Sequence, residues 1–181
     1  MKGIRPMEEV DAPKLSWGHV NLNVRDLETS VVFYQKLGFE VLIPSIPYLG
    51  MERAGEPTTM PSDCAEALGV EPSARGRACI MGLGGKFPML DLTEFQPGDT
   101  PPSSPAQDPQ DEAPGGLGFV RLCLASQEIA ADHAQLSAKG VPFSTLPCAA
   151  KDGMATIAVC SDPDGNRIEL IQLHPERWPA A

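Results

Sequence analysis

Gly18-His19-Val20-Asn21-Leu22-Asn23-Val24 is the stretch on which the fold turns. Val20, Leu22 and Val24 alternate with His19, Asn21 and Asn23, the two-residue period of a strand with one apolar and one polar face. The same alternation returns 100 positions later in Gly118-Phe119-Val120-Arg121-Leu122-Cys123-Leu124. An internal repeat of this size constrains the architecture more than any single motif does.

Each copy continues in the same way. After the first strand, Asp26 is placed to cap a helix that runs through Val31, Phe33, Tyr34 and Leu37 and stops at Gly38. Phe39 to Ile46 reads as a strand, as do Arg77 to Met81 and Pro88 to Phe95. Gly82-Leu83-Gly84-Gly85 sits where a hairpin turn belongs. After the second copy's first strand, a helix is predicted over 127–139, ending at Gly140, with strands at Phe143 to Leu146, Ala155 to Cys160 and Asn166 to Leu173. Asp162-Pro163-Asp164-Gly165 supplies a turn, since Pro163 presets φ and Gly165 relieves the last position. The sequence therefore predicts an α+β fold: two βαβββ modules forming a cupped mixed sheet with helices on its outer face. The expected divisions are a tail at 1–14, a first module at 15–95, a linker at 96–116, a second module at 117–174 and a tail at 175–181. Within the first module, 47–76 is an insertion holding a short helix from Ser62 to Leu68, long enough to form a lid. The linker is rich in Pro, Ser, Asp and Gln.

The bulk numbers exclude several classes. The chain has 181 residues and a formal net charge of −10, which disfavours nucleic acid and anionic membrane surfaces. No stretch reaches transmembrane length, and residues 1–10 have no apolar core of a signal peptide, so the expected location is cytoplasmic. The five cysteines are an odd number without a Cys-x-x-Cys pair, which argues against structural zinc and a disulfide framework.

Strand alternation also assigns facing. A sheet covered by helices on one side puts its apolar residues there. Val20, Leu22, Val24, Leu90, Leu92, Val120, Leu122, Leu124, Ile168 and Leu170 then face the helices. The opposite side receives His19, Asn21, Asn23, Asp91, Thr93, Phe119, Arg121, Cys123, Glu169 and Ile171. Half-buried charges need a partner. For His19, Asp91, Arg121 and Glu169 that partner is either a hard or borderline divalent ion, held by one His and two carboxylates, or an ion pair made by Arg121 itself. Arg121 could instead hold an anionic substrate group. Asn21 and Asn23 either orient a ligand or solvate the floor. Tyr48, Met51, Met60 and Phe87 either line the mouth or pack around the insertion.

Gly18-His19-Val20-Asn21-Leu22-Asn23-Val24-Arg25-Asp26-Leu27, followed by Phe33-Tyr34 and Lys36-Leu37-Gly38-Phe39, resembles the opening of a glyoxalase, bleomycin-resistance and extradiol-dioxygenase (vicinal oxygen chelate) module. Asp162-Pro163-Asp164-Gly165-Asn166-Arg167-Ile168-Glu169-Leu170 resembles its ending. The resemblance implies metal ligands at His19, Asp91 and Glu169, with Asp91 standing where a Glu is usual. Phe119 occupies the place of the second-module His and cannot ligate. Neither His133, mid-helix, nor His174, beyond the last strand, replaces it. The implied activity is a metal-dependent lyase or isomerase acting on a small carbonyl, hydroxy-acid or thioester substrate. Its divalent ion would be zinc, nickel, manganese, cobalt or iron. Asp91 and Glu169 would be the catalytic carboxylates, and Arg121, Asn21, Asn23 and Phe119 the substrate-binding residues. A metal-free drug- or metabolite-binding protein is the alternative, favoured by Phe119. A non-haem iron dioxygenase ranks third, because it requires two His. The resemblance also implies a homodimer.

Overall fold

A computed structural model describes residues 15–96, 119–150 and 152–178. The expected tail at 1–14, nearly all of the linker and the last three residues lie outside the described residues. In the first module, β1 (His19–Asn23) leads into α1 (Leu27–Lys36) and β2 (Phe39–Ile43). The insertion follows. It carries β3 (Ser45–Ile46), a 3-10 turn (Pro47–Leu49), β4 (Met51–Glu52), β5 (Thr58–Thr59) and α2 (Ser62–Leu68). β6 (Arg75–Leu83) and β7 (Lys86–Phe95) close the module. The second module comprises β8 (Leu122–Ala125), α3 (Ile129–Ala138), β9 (Cys148–Ala150), β10 (Ala155–Ser161) and β11 (Arg167–Leu173). The sequence repeat becomes a repeat of topology. One sheet runs β1-β7-β6-β2, with β5 added beside β6, and the other runs β8-β11-β10-β9. In each, the module's first strand lies parallel to its fourth and the remaining pairs are antiparallel. The α+β class holds, but the backbone ladders form two mixed sheets and a small β3–β4 ribbon rather than one continuous sheet.

Local chemistry sets the element ends. Asp26 Oδ1 accepts from Thr29 N at 2.7 Å, and Glu94 Oε2 accepts from Leu27 N at 2.7 Å, so two otherwise orphaned amides at the start of α1 are satisfied. Gly38, at φ 93°, ends the helix in the left-handed region. α3 begins two residues later than predicted, where Gln172 Oε1 accepts from Ile129 N at 3.0 Å. The strand predicted over 39–46 breaks at Pro44, which has no N–H to give. Ser45 and Ile46 leave the sheet to pair with Glu52 and Met51. The strand predicted from Phe143 to Leu146 is reduced to a bridge between Phe143 and Cys160. There Val159 N donates to the Thr145 hydroxyl at 3.0 Å, so a side chain takes the place of a ladder carbonyl, and pairing resumes only at Cys148. Within the expected C-terminal tail, a 3-10 turn (Pro175–Arg177) precedes Trp178, whose Nε1 donates to Met154 O at 3.1 Å.

Among the described residues, two apolar cores form. The larger joins the modules: Val24, Leu27, Val31, Leu90 and Leu92 share it with Ile129, Leu136, Ile168 and Leu170, while Val20, Leu22, Leu122 and Leu124 pack against it. This is the helix-side face that alternation assigned. The smaller core is the insertion's own. Ile46, Leu49, Met51, Met60 and Ala65 bury themselves on Ala78 and Ile80, with Met89 and Phe95 at its margin. Ala78 and Ile80 alternate along β6 with Cys79 and Met81 of the larger core. The insertion is therefore packed onto the opposite side of the first sheet, and it covers β6 while leaving β1 and part of β7 open.

Candidate functional site: a cleft on the first module

What the insertion leaves open is a cleft of about 330 Å³. Its floor is polar and comes from two adjacent parallel strands: His19, Asn21 and Asn23 on β1, Asp91 and Thr93 on β7. Its wall is apolar and comes mostly from the insertion: Tyr48, Leu49, Met60, Leu68 and Val70. Phe95 completes the lining. A small volume, apolar walls and a few convergent polar groups are the general marks of a small-molecule site.

Asp91 is the centre of the floor. It is 1% exposed. Its Oδ1 accepts from the Thr93 hydroxyl at 2.9 Å, and its Oδ2 lies 3.7 Å from His19 Nε2. Burial raises its pKa above the ordinary carboxylate value, opposed by hydrogen bonds from Thr93 and Asn21 and by the charge of His19. Burial also pushes the Tyr48 phenol up, with the Asp91 charge adding to the effect across the cleft. The His19 side chain is 37% exposed and so faces the opening. A recessed carboxylate next to a reachable imidazole can hold a polar head group and can take or give a proton at one of its oxygens.

The other predicted site residues lie elsewhere. Glu169, 8% exposed on β11, accepts from Arg121 Nε, and its Oε1 is 3.7 Å from Cys123 Sγ. Burial raises the Cys123 thiol pKa, with the neighbouring Glu169 charge adding to it. Arg121 and Phe119 line a separate small void of about 40 Å³ with Leu22, Tyr34 and Ile168. Phe119 itself is 74% exposed. So His19, Asn21, Asn23 and Asp91 meet in one place, while Glu169 on β11 pairs with Arg121, which with Phe119 lies just before β8, since the expected strand alternation over 119–124 forms a strand only from Leu122. Of the mouth candidates, Tyr48 and Met60 line the cleft, Met51 is fully buried in the insertion core, and Phe87 is exposed outside the lining. Thr93 was legible as a cup-facing residue by its parity with Asp91. Leu49, Leu68 and Val70 were not, because nothing in the insertion's sequence says which way it folds back.

The glyoxalase/bleomycin resistance protein/dioxygenase superfamily model matches residues 16–170. The chain belongs to this superfamily. Among curated proteins, no sequence matches it. A glyoxalase family protein from Bacillus cereus shares its fold, with a TM-score of 0.68 at 13% identity over 92% of this chain and 99% of that one. A superfamily member from Sphaerobacter thermophilus gives a TM-score of 0.53 at 20% identity over 87% and 98%. Glyoxalase I from Zea mays gives 0.54 at 20% identity, over 85% of this chain and 43% of that longer one.

The superfamily's implied divalent ion can be tested against the donor set. Among the described residues, no three of His, Cys, Asp and Glu gather where they could hold an ion. His19 and Asp91 are adjacent, but the carboxylate expected to join them, Glu169, is on the other sheet and is already neutralised by Arg121. The three-ligand set expected from the sequence is therefore not assembled within one copy of the chain. The ion pair between Arg121 and Glu169 is the other of the two partnerships the residues allowed. No described helix is long and apolar enough to cross a membrane.

Proposed function

We propose that this superfamily member is a small-molecule-binding protein whose ligand enters the first-module cleft and is held by the His19–Asp91 pair, without a metal bridging the two modules. The observation that carries the reading is the buried Asp91 carboxylate beside His19 on the floor of an otherwise apolar-walled cleft. Asn21, Asn23 and Thr93 add hydrogen-bonding groups around it, enough to orient a hydroxyl, carbonyl or amine. Met60, Leu49, Leu68 and Val70 supply the apolar contact that such ligands need for affinity. The test is a thermal-shift screen of small oxygen- and nitrogen-bearing aromatics, repeated on Leu68→Trp, which fills the cleft from its rim. Ligands that stabilise the wild-type protein and not the filled variant support the reading. Equal shifts in both proteins would remove the cleft from consideration.

A metal-dependent lyase or isomerase is the second reading. The proximity of His19 and Asp91, two of the three ligand positions the family resemblance implies, is what favours it. Metal analysis after saturation with zinc, nickel, manganese, cobalt or iron separates the two. Stoichiometric metal that is lost in His19→Ala would establish the second reading, and its absence would sink it. The homodimer belongs to the same proposal. β1 and β8 each end their sheet with one side unpaired among the described residues, and sedimentation at several concentrations would show whether a second copy uses those edges.

A further inference from the structure

The charge pattern of the cleft narrows the ligand further. Among the described residues, its lining holds one carboxylate, Asp91, and no lysine or arginine. Arg121, the cation that the sequence offered for an anionic substrate, is engaged by Glu169 and lines the other void. The whole chain carries a formal net charge of −10, so the field outside the cleft also repels anions. Asp91 itself is almost fully removed from water, and its one nearby ionisable partner on the floor, His19, stands at 3.7 Å, beyond hydrogen-bond length. Burying a carboxylate is costly, and a ligand that brings a cation nearer to Asp91 than His19 stands recovers part of that cost on binding.

The remaining lining agrees. The amide oxygens of Asn21 and Asn23 and the Thr93 hydroxyl are acceptors that a multi-donor head group can use. Tyr48 and Phe95 offer aromatic faces to a cation, and Leu49, Met60, Leu68 and Val70 receive an apolar body.

We infer that the first-module cleft takes an organic ammonium with an apolar body, its charged head on Asp91 between Asn21 and Asn23 and its body against the insertion. This rests on the small-molecule reading above. It excludes carboxylates and phosphates as the preferred ligands of this cleft.

Three near-isosteric probes test it: 2-phenylethylammonium, 2-phenylethanol and 3-phenylpropionate, titrated calorimetrically at low salt and neutral pH. The ammonium is expected to bind tightest, about tenfold or more above the carboxylate, as one charge-assisted contact in a desolvated site allows. Asp91→Asn should reduce the ammonium to the affinity of the alcohol. Should Asp91→Asn fail to fold, exposed Asn23 provides the same test with opposite signs. Asn23→Asp should tighten the ammonium and Asn23→Lys should weaken it, each severalfold, with the alcohol unchanged. A carboxylate that binds as tightly as the ammonium, and is lost in Leu68→Trp, overturns the ligand class while keeping the cleft as a binding site. Failure of all three probes to bind wild-type protein at about 10 mM would overturn the class and the small-molecule reading together.

Discussion

Asp91 is held at the expense of stability. Its folded-state pKa is raised by burial, so the native state binds a proton more readily than the unfolded chain does. The sign follows directly. Stability from this group is fully present below the unfolded value of 3.8, is lost as pH rises through the higher folded value, and stays lost at neutral pH. The groups facing it are His19 and Asn21 from β1, Thr93 from β7 and the Tyr48 phenol from the insertion. Asp91→Asn keeps the shape and an acceptor for Thr93 while removing the charge. The variant should melt higher than wild type at pH 7 and show little gain near pH 3.5. In a chain this long, each kcal/mol relieved should appear as about 2–4 °C. Thermal melts across that range check it, and a variant less stable at pH 7 would contradict the account. Asp26 behaves oppositely. Its carboxylate caps α1, and the hydrogen bond with Thr29 lowers its pKa, so its contribution is present above the ordinary carboxylate value and is lost on acidification. Asp26→Ala should cost about 1 kcal/mol at neutral pH, measured by urea unfolding, and less in acid.

Elements were more legible than their ends. The alternation of Val20, Leu22 and Val24 with His19, Asn21 and Asn23 fixed the strand, its facing and half the cleft floor, because a period of two admits only two assignments. Asp26 and Gly38 marked α1 for the same kind of local reason. What escaped the sequence was non-local. Pro44 redirects the chain into the insertion, and Thr145 interrupts the second sheet, but neither effect is visible without the partner strand. The pairing of Glu169 with Arg121 rather than with His19 and Asp91 depends on which strands share a sheet, which alternation does not encode. Gly76 shows a packing constraint of this non-local kind. It lies on β6 opposite Phe95, and a Cβ placed there would stand 2.5 Å from Glu94 O and 3.0 Å from the Met51 methyl. Backbone cannot yield as a side-chain tip can. Gly76→Ala should therefore destabilise by about 1–3 kcal/mol, whereas Gly82→Ala, whose Cβ would first meet the half-exposed Leu42 side chain rather than backbone, should cost less. Denaturant midpoints of the two variants decide the order.

At the scale of the whole molecule, the two modules share one apolar core and one buried polar tie. The Tyr34 hydroxyl of α1 donates to Asp162 Oδ2 at 2.9 Å, and Asp162 also accepts from the amides of Asp164 and Asn166 and from the Asn166 side chain. The turn between β10 and β11 of the second module is thereby tied to α1 of the first. Burial and the Asp162 charge both raise the Tyr34 pKa, which keeps the hydroxyl a donor. Arg25 joins Asp164 at 2.7 Å over the same contact, but its side chain is 81% exposed and adds little. The asymmetry of the modules, with the cleft on one and the Arg121–Glu169 ion pair on the other, is thus carried on a shared core. Tyr34→Phe leaves the ring packing on Phe33 and Phe39 and removes only the hydrogen bond, so it should cost about 1.5–3 kcal/mol. The chain's two tryptophans allow the coupling itself to be read, since Trp17 lies just before β1 in the first module and Trp178 is bonded to Met154 beside the second. Trp17→Phe and Trp178→Phe each leave one fluorescent reporter. Their urea transitions should coincide in midpoint and slope, because a core shared between modules cannot be exposed on one side alone. Two separated transitions would mean that the modules unfold independently and that the Tyr34–Asp162 tie is too weak to couple them.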